Sequence, residues 1–435
     1  MLHFFTLWHG KRIFHNRGCE VADMILQRLR FISAYSIGSR WKMTTIYWVS
    51  SSDELAAAIG RAEPGSSILL ADGVYERNED YIIEGKVGSD TAILSIRAVN
   101  KGKAIIAGES SIRILNSAYV EVWGLHFQVG QRESIILDGS RHVRIARNRF
   151  EPRQVGAEYS LLSVLGSGSG WNRIERNEFG PKADLGPLVV FDGDGEQISQ
   201  HDVIEYNYFH HIGPRVVNGL EAIRLGLSGI SLSNGYITIQ HNLFENCDGE
   251  PEIISIKSCY NTVRYNTFLN SAGQVTARHG HGNRFHNNVF IGDGVKEEMG
   301  GFRIYGNDHH IFDNYMENLT LDALLIDGGN YDGGSDGYPE GPTQEELRKH
   351  WRVYRASVVN NTIVNCRHGI TLGKRIPYAP EQCVIAYNRI YGKEQPAIYE
   401  YRPSPVVCIN NHKADVADIR CPAILTRTDV GPDSD

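Results

Sequence analysis

Two glutamates, a lysine and an arginine fall within one stretch of this chain, Asn242 to Gly280, at a spacing that suits proton abstraction next to a carboxylate. Glu250 and Glu252 stand two apart, Lys257 follows five residues later, and Arg278 follows Lys257 by 21 residues. On an extended strand, residues i and i+2 point to the same side, so the two carboxylates lie together and repel unless a cation sits between them. Carboxylate and amide oxygens suit a hard ion, calcium or magnesium, and Asn218, 32 residues before Glu250, can add an amide oxygen. Arg224 offers a plainer alternative, balancing the acids in a surface salt bridge. Lys257 then supplies a base and Arg278 a second cationic donor. The odd step from Glu252 to Lys257 would turn the two to opposite faces of an unbroken strand, so a bend or bulge is expected between them.

An interval of 21 residues is about one coil of a stacked solenoid, and an internal repeat supports that length. An Asn followed two residues later by a large apolar side chain recurs at Asn148, Asn177, Asn207, Asn242, Asn266, Asn288, Asn314, Asn361 and Asn388. The steps are 29, 30, 35, 24, 22, 26, 47 and 27 residues. Short alternations such as Val143-Arg144-Ile145 and Tyr236-Ile237-Thr238-Ile239 read as strands pairing in parallel with the next coil. Each Asn is expected to stack on the next and bond along the ladder. With 435 residues, 45 Gly and 5 Met, and no helix-period runs between the repeats, the fold expected is all-β, a right-handed parallel β-helix.

Ser51 with Glu54 opens a short amphipathic helix that Pro64-Gly65 would stop, placed to plug the first coil. Residues 1–43 are basic and aromatic and stand outside the repeat, an extension that is either poorly ordered or an overextended start with Met43 as the true first residue. The β-helix domain is expected over 44–412, with 413–435 as a tail. No apolar run follows the basic start, so neither a signal peptide nor a membrane span is expected. Seven cysteines without a CxxC pair fit buried thiols in the solenoid, and both features favour a cytoplasmic location, with a secreted or periplasmic one open if the start is wrong. A net charge of −7 without a Lys/Arg tract argues against nucleic acid. Arg215, Arg224, Lys257, Arg278, Arg303, Lys374 and Arg375 are instead scattered at intervals that would place cations on successive coils, a basic groove for a linear polyanion. His279 and His281, two apart, are too few for a zinc site, and His309 with His310 carries the same ambiguity. The long interval after Asn314 contains a second capping box, Thr343 to Glu346, in a loop expected to wall one end of the groove.

Taken together, NGLEAIRLG at Asn218, CDGEPEIISIKS at Glu250 to Ser258, TARHG at Arg278, GGFRIYG at Arg303 and VNNTIVNC at Asn361 make the chain resemble polysaccharide lyase family 6, the alginate lyases and chondroitinase B. The resemblance implies calcium held by Asn218, Glu250 and Glu252, with Lys257 as general base and Arg278 as general acid. Substrate contacts are expected of Arg224, His279, Arg303, Tyr305, His309 and Lys374. One departure stands out: Ile256 occupies a position that is commonly Asn in the family, which bears on substrate preference.

The reaction so implied is β-elimination on a uronic-acid polymer, most closely alginate, leaving unsaturated uronate ends. The carbon 5 proton is barely acidic while the neighbouring carboxylate keeps its charge, so a bound cation and a neutral Lys257 are both needed. Two other readings are a dermatan sulfate lyase and a noncatalytic polysaccharide-binding β-helix. The expected partner is an acidic polysaccharide or oligosaccharide, with no membrane, no nucleic acid and no oligomeric state specified.

Overall fold

The computed structural model describes residues 34–35, 42–336, 341–375, 377–392, 396–415 and 420–434. From Tyr47 onward the chain forms one unit, a parallel β-helix with sheets of 14, 13 and 12 strands. Each coil adds one strand to each sheet. A separate unit reaching Ile46 contains an antiparallel pair, Ala34–Tyr35 with Lys42–Met43. The rest of the extension lies outside the described residues. Among those described, no helix is long and apolar enough to cross a membrane.

The 12-stranded sheet carries Glu252, Lys257 and Arg278. Seven of its strands matter here: β1 (Ile223–Leu225), β2 (Glu252–Lys257), β3 (Gly273–His279), β4 (Met299–Ile304), β5 (Asp322–Ile326), β6 (His368–Leu372) and β7 (Ile398–Glu400), each paired with the next.

The asparagine repeat is a continuous ladder. The backbone N–H and Nδ2 of each Asn from Asn148 to Asn388 donate to Oδ1 of the next, at 2.9–3.2 Å. A tenth rung, Asn411, lacks the apolar partner that marks the others in sequence. The residue before each rung, Arg147 and Tyr206 for example, has a positive φ that turns the corner. That conformation costs a non-glycine residue about 1–2 kcal/mol, which the buried amide bonds offset. Inside, Phe127, Phe150, Phe179, Phe209, Phe244, Phe268 and Phe290 stack with centroids 4.3–4.9 Å apart. Removing one such ring typically costs about 3–5 kcal/mol.

A second polar row runs through Asn261 and Asn283 and ends on His309. His309 accepts from the Asn283 N–H (3.1 Å) and donates from Nε2 to the Tyr305 carbonyl (2.8 Å), with no surface exposed. It is therefore a rung of the frame, and the expected contact between His309 and substrate does not hold. Burial pushes its pKa down to about 4 and that of His281 to about 3. Because the folded value lies below the unfolded one of about 6.5, this stabilisation is present above pH ~6.5 and is lost as pH falls toward 4, at about 1.4 kcal/mol per pH unit for each histidine. We expect His309→Asn, which keeps an acceptor and a donor in the row, to lose less stability between pH 6.5 and 4.5 in urea titrations than the parent. Equal acid sensitivity would show that His309 does not contribute to it.

Helix α1 (Ser52–Arg61) caps the first coil, burying Leu55, Ala58 and Ile59, with Ser51 Oγ accepting from the Glu54 N–H. At the other end of the chain, residues 420–434 do not hang free. They run back across the coils: Leu425 N–H bonds Thr267, Arg427 pairs with Glu245, and Val430 is buried beside Tyr208 and Leu243. Arg147 and Lys101 hold the Pro432 carbonyl, and Arg176 holds Ser434. The described cysteines carry free thiols; Cys247, Cys259 and Cys383 are buried as expected, whereas Cys408 and Cys421 are exposed. Cys19 lies outside the described residues.

Candidate active site

The site grows from the irregularity of β2. The parallel register between β2 and β3 slips twice, between Glu252 and Ile254 and between Ile256 and Lys257. The first leaves Ile253 as an extra residue in β2 and supplies the change of face that the odd Glu252-to-Lys257 step demands; the second leaves Arg278 as the extra residue of β3. Between them Ile254 and Ile256 face the core with no exposed surface. Ile256 therefore packs inward against its neighbours and does not face the groove.

Three buried carboxylates meet at the start of β2. Glu221, Glu250 and Glu252 each present an oxygen within 4.8 Å of the others, and each residue is at most 2 % exposed. Glu250 accepts from the N–H groups of Gly219 and Leu220, while Arg215 takes its backbone carbonyl at 2.9 Å. Glu252 accepts from Ser255, Arg303 and Arg278, the last at 3.3 Å. Glu221 leaves Oε2 buried with no hydrogen-bond partner. Burial, then the charges of Glu221 and Glu252, push Glu250 up to about 7. Burial also raises Glu221, against the pull of Lys257. Glu252 is subject to the same burial, but Arg303 and Arg278 overcome it and hold it below the usual carboxylate range. An orphaned buried oxygen and a mutually repelling set of hard donors are what an oxygen-loving divalent cation would relieve. The residues present fit such an ion.

Lys257, 8 % exposed, closes β2 beside this cluster. Burial lowers its pKa and Arg278 adds to the effect, opposed by Glu221 and Glu252. Its register partner is His279 rather than Arg278, and Arg303 pairs with Thr276. The expected straight row of one cation per coil is thus broken by the bulges into two offset positions, Arg224 and Arg303 in one and Lys257 with Arg278 further along their strands. Arg224 pairs with Asp192 at 2.8 Å rather than with the glutamates, and its charge reaches Glu221 only as a smaller pull behind that of Lys257.

A cleft of about 310 Å³ opens over the carboxylates, lined by Asn218, Glu250, Glu252, Arg278, Arg303 and His350 among others. A neighbouring space of about 470 Å³ shares His350 and is bordered by Asn330, Lys374 and Arg375. A larger cleft, about 710 Å³ around Cys366, Tyr391 and Lys413, is lined by other residues, and among the described residues it contains no comparable carboxylate cluster. His350 comes from the long loop, where helix α2 (Gln344–Leu347) carries the expected capping box from Thr343. The Lys349 carbonyl meets His279 Nδ1 at 3.0 Å, which anchors the loop to β3. Burial lowers both His279 and His350, the latter to about 3, and Arg278 lowers both further. Neutral imidazoles thus stand next to the arginines.

Tyr305 is fully buried, its hydroxyl donating to Asp327 at 2.8 Å, so its expected substrate contact is replaced by a supporting one. Asp327 also takes the Arg375 N–H at 2.7 Å and so fixes the segment that brings Arg375 to the cleft. Lys374 bonds Asp322 at 3.0 Å and remains 38 % exposed. Two cleft groups escaped the sequence reading. Glu221 lies inside the NGLEAIRLG motif, three residues after Asn218, where a second acid near the pair was a usable signal. His350 had none, because only the loop's path delivers it.

Residues 49–395 match the Chondroitinase B family. The chain belongs to that family. No curated protein sequence matches the chain. Among solved structures, a family 6 polysaccharide lyase from Pseudopedobacter saltans shares 25 % identity over 89 % of this chain and 99 % of its own, with a TM-score of 0.77. The family 6 alginate lyase AlyGC shares 26 % over 86 % of this chain, with a TM-score of 0.69; this chain spans 53 % of its length. A mannuronic acid-specific family 6 lyase from the human gut microbiota shows the same fold at 24 % identity, covering 89 % of this chain and 96 % of its own, with a TM-score of 0.74. This chondroitinase B family member is a family 6 polysaccharide lyase with a parallel β-helix fold.

Proposed function

We propose that this lyase cleaves alginate by calcium-assisted β-elimination. The observation that carries the reading is the buried glutamate cluster, with an unpartnered oxygen, lying beside a lysine whose pKa is lowered. Glu221, Glu250 and Glu252, with Asn218 at the cleft wall, would hold the ion. Bound there, calcium would supply Lewis-acid neutralisation of the substrate's uronate carboxylate.

The chain's own groups do the rest. Neutral Lys257 takes the carbon 5 proton; the electrons left behind form the carbon 4 to carbon 5 double bond, and the bond from carbon 4 to the glycosidic oxygen breaks. Arg278 lies on the cleft wall and donates a hydrogen bond to the departing oxygen, which leaves as a hydroxyl once protonated. A guanidinium releases a proton poorly at neutral pH, so the proton comes from a water that Arg278 orients, and the hydroxide left behind takes the proton from Lys257 and restores the neutral base. Glu252 accepts from Arg278 and Arg303 together and so holds both guanidinium groups in place. His279, neutral, and Lys349 keep the loop wall against β3.

Alginate is favoured because the cleft cations are few, and Arg278, Arg303 and Lys374 are already paired with Glu252 and Asp322, which suits one carboxylate per sugar better than a sulfated polymer. The similar alginate lyases point the same way. The family match itself supports dermatan sulfate as a second reading. Incubation with alginate, dermatan sulfate and polygalacturonate, followed by ultraviolet absorbance of the unsaturated product, separates them. Product is expected from alginate alone; cleavage of dermatan sulfate with none of alginate would overturn the substrate while leaving the elimination intact.

A further inference from the structure

On the outward face of the 12-stranded sheet, one register position links Arg224, Ser255, Thr276, Arg303, Leu325, Thr371 and Tyr399 from coil to coil. Tyr399 is therefore three strand spacings beyond Arg303, about 14 Å along the axis. Its side chain is left in the open, at 41 % exposure, as is that of Tyr401 at 45 %. The two rings meet almost at right angles, 81° with centroids 4.9 Å apart, and make a corner with a floor and a wall.

Cationic and polar groups lie at the same corner. Lys374 Nζ sits 6.0 Å from the Tyr401 ring centroid and is tethered by Asp322, which also accepts from His368 and Thr371. Lys374 also borders the space that adjoins the catalytic cleft. An apolar ring face next to a tethered ammonium matches the two halves of a uronate residue, its C–H face and its carboxylate. From this continuity with the cleft we infer that Tyr399, Tyr401 and Lys374 form a distal subsite that binds a sugar of the same polymer several residues from the bond that breaks. Exposed tyrosines elsewhere on the coils, Tyr387 for example, do not share this register position.

The inference rests on the uronan reading above, and the test separates the two. In the Lys257→Ala background, with calcium present, mannuronate trimer and octamer are titrated by calorimetry. The octamer is expected to bind about tenfold more tightly than the trimer, and Tyr399→Ala to remove most of that gain, because stacking on an aromatic ring contributes on this order. Tyr399→Phe keeps the ring and should keep the gain. Tyr401→Ala, scored the same way, covers the case in which Tyr399→Ala fails to fold. A length gain that survives both alanine variants, or none in the parent while the wild type still cleaves alginate, would overturn the subsite. Failure of the wild type to cleave any uronan would instead overturn the substrate reading, and the subsite with it.

Discussion

Lys257→Ala is expected to lower kcat by at least about a hundredfold, the usual minimum for loss of a general base, with a much smaller change in KM. The residue sits at the end of a bulged strand and contributes to the reacting state more than to the hold on the polymer. Lys257→Arg sharpens the test. It keeps positive charge next to Glu221 but cannot lose its proton near neutral pH, so it should be as inactive as the alanine variant if the lysine acts as a base. In the wild type, the protonated lysine is the inactive form; kcat/KM should therefore rise with pH through a midpoint below the ordinary lysine value, since burial and Arg278 lower that pKa. Retention of more than about a tenth of the rate in Lys257→Arg would mean that charge, not proton transfer, is the lysine's contribution.

Exhaustive chelation is expected to abolish turnover, with calcium restoring it better than zinc, because the oxygen donors of Glu221, Glu250, Glu252 and Asn218 prefer a hard ion. The effect should also be visible without substrate. An ion held at about 100 times its Kd stabilises the folded state by about 2.7 kcal/mol, so the melting temperature should climb with added calcium. Glu221→Gln keeps the shape and removes one charge, and should weaken calcium binding by about tenfold or more, in line with losses seen when even indirect supports of a metal are removed. Full activity after chelation, with no metal by elemental analysis, would show that the glutamates are balanced by the cleft's own cations, Arg278 and Arg303 on Glu252 and Lys257 near Glu221.

The architecture was legible because one physical requirement repeats. Every coil must satisfy its corner amides, and the same Asn does it each time, so nine rungs could be counted before any strand was placed. The candidate site was legible for a related reason: Glu250 and Glu252 were expected to lie together from their spacing, and they do, although Glu250 sits in the bend before β2. The odd step to Lys257 called for the bulge that β2 contains. What escaped was whatever depends on side-chain direction after a bulge or on the course of a long loop. Tyr305 and His309 read as groove residues yet point into the frame, where Asp327 and Asn283 hold them. Arg224 and Arg303 share a register position that Lys257 and Arg278 do not, a difference that no count of residues between cations reveals. His350 reaches the cleft only because α2 and the Lys349 carbonyl steer the loop there.

Residues 420–434 alter how the solenoid comes apart. A stack of coils in which each touches only its neighbours can fray one layer at a time. Here a single segment is stitched to coils as far apart as those of Lys101 and Thr267, so none of the coils between can peel away without undoing part of the seam. The seam also dictates an order of assembly. Joining Pro432 to Lys101 in a loose chain would close a loop of 331 residues, an entropic cost of about 5 kcal/mol; once the coils are stacked, their own pairing has already met most of it. The segment is synthesised after every coil it crosses, so it locks a finished stack and cannot guide an unfinished one.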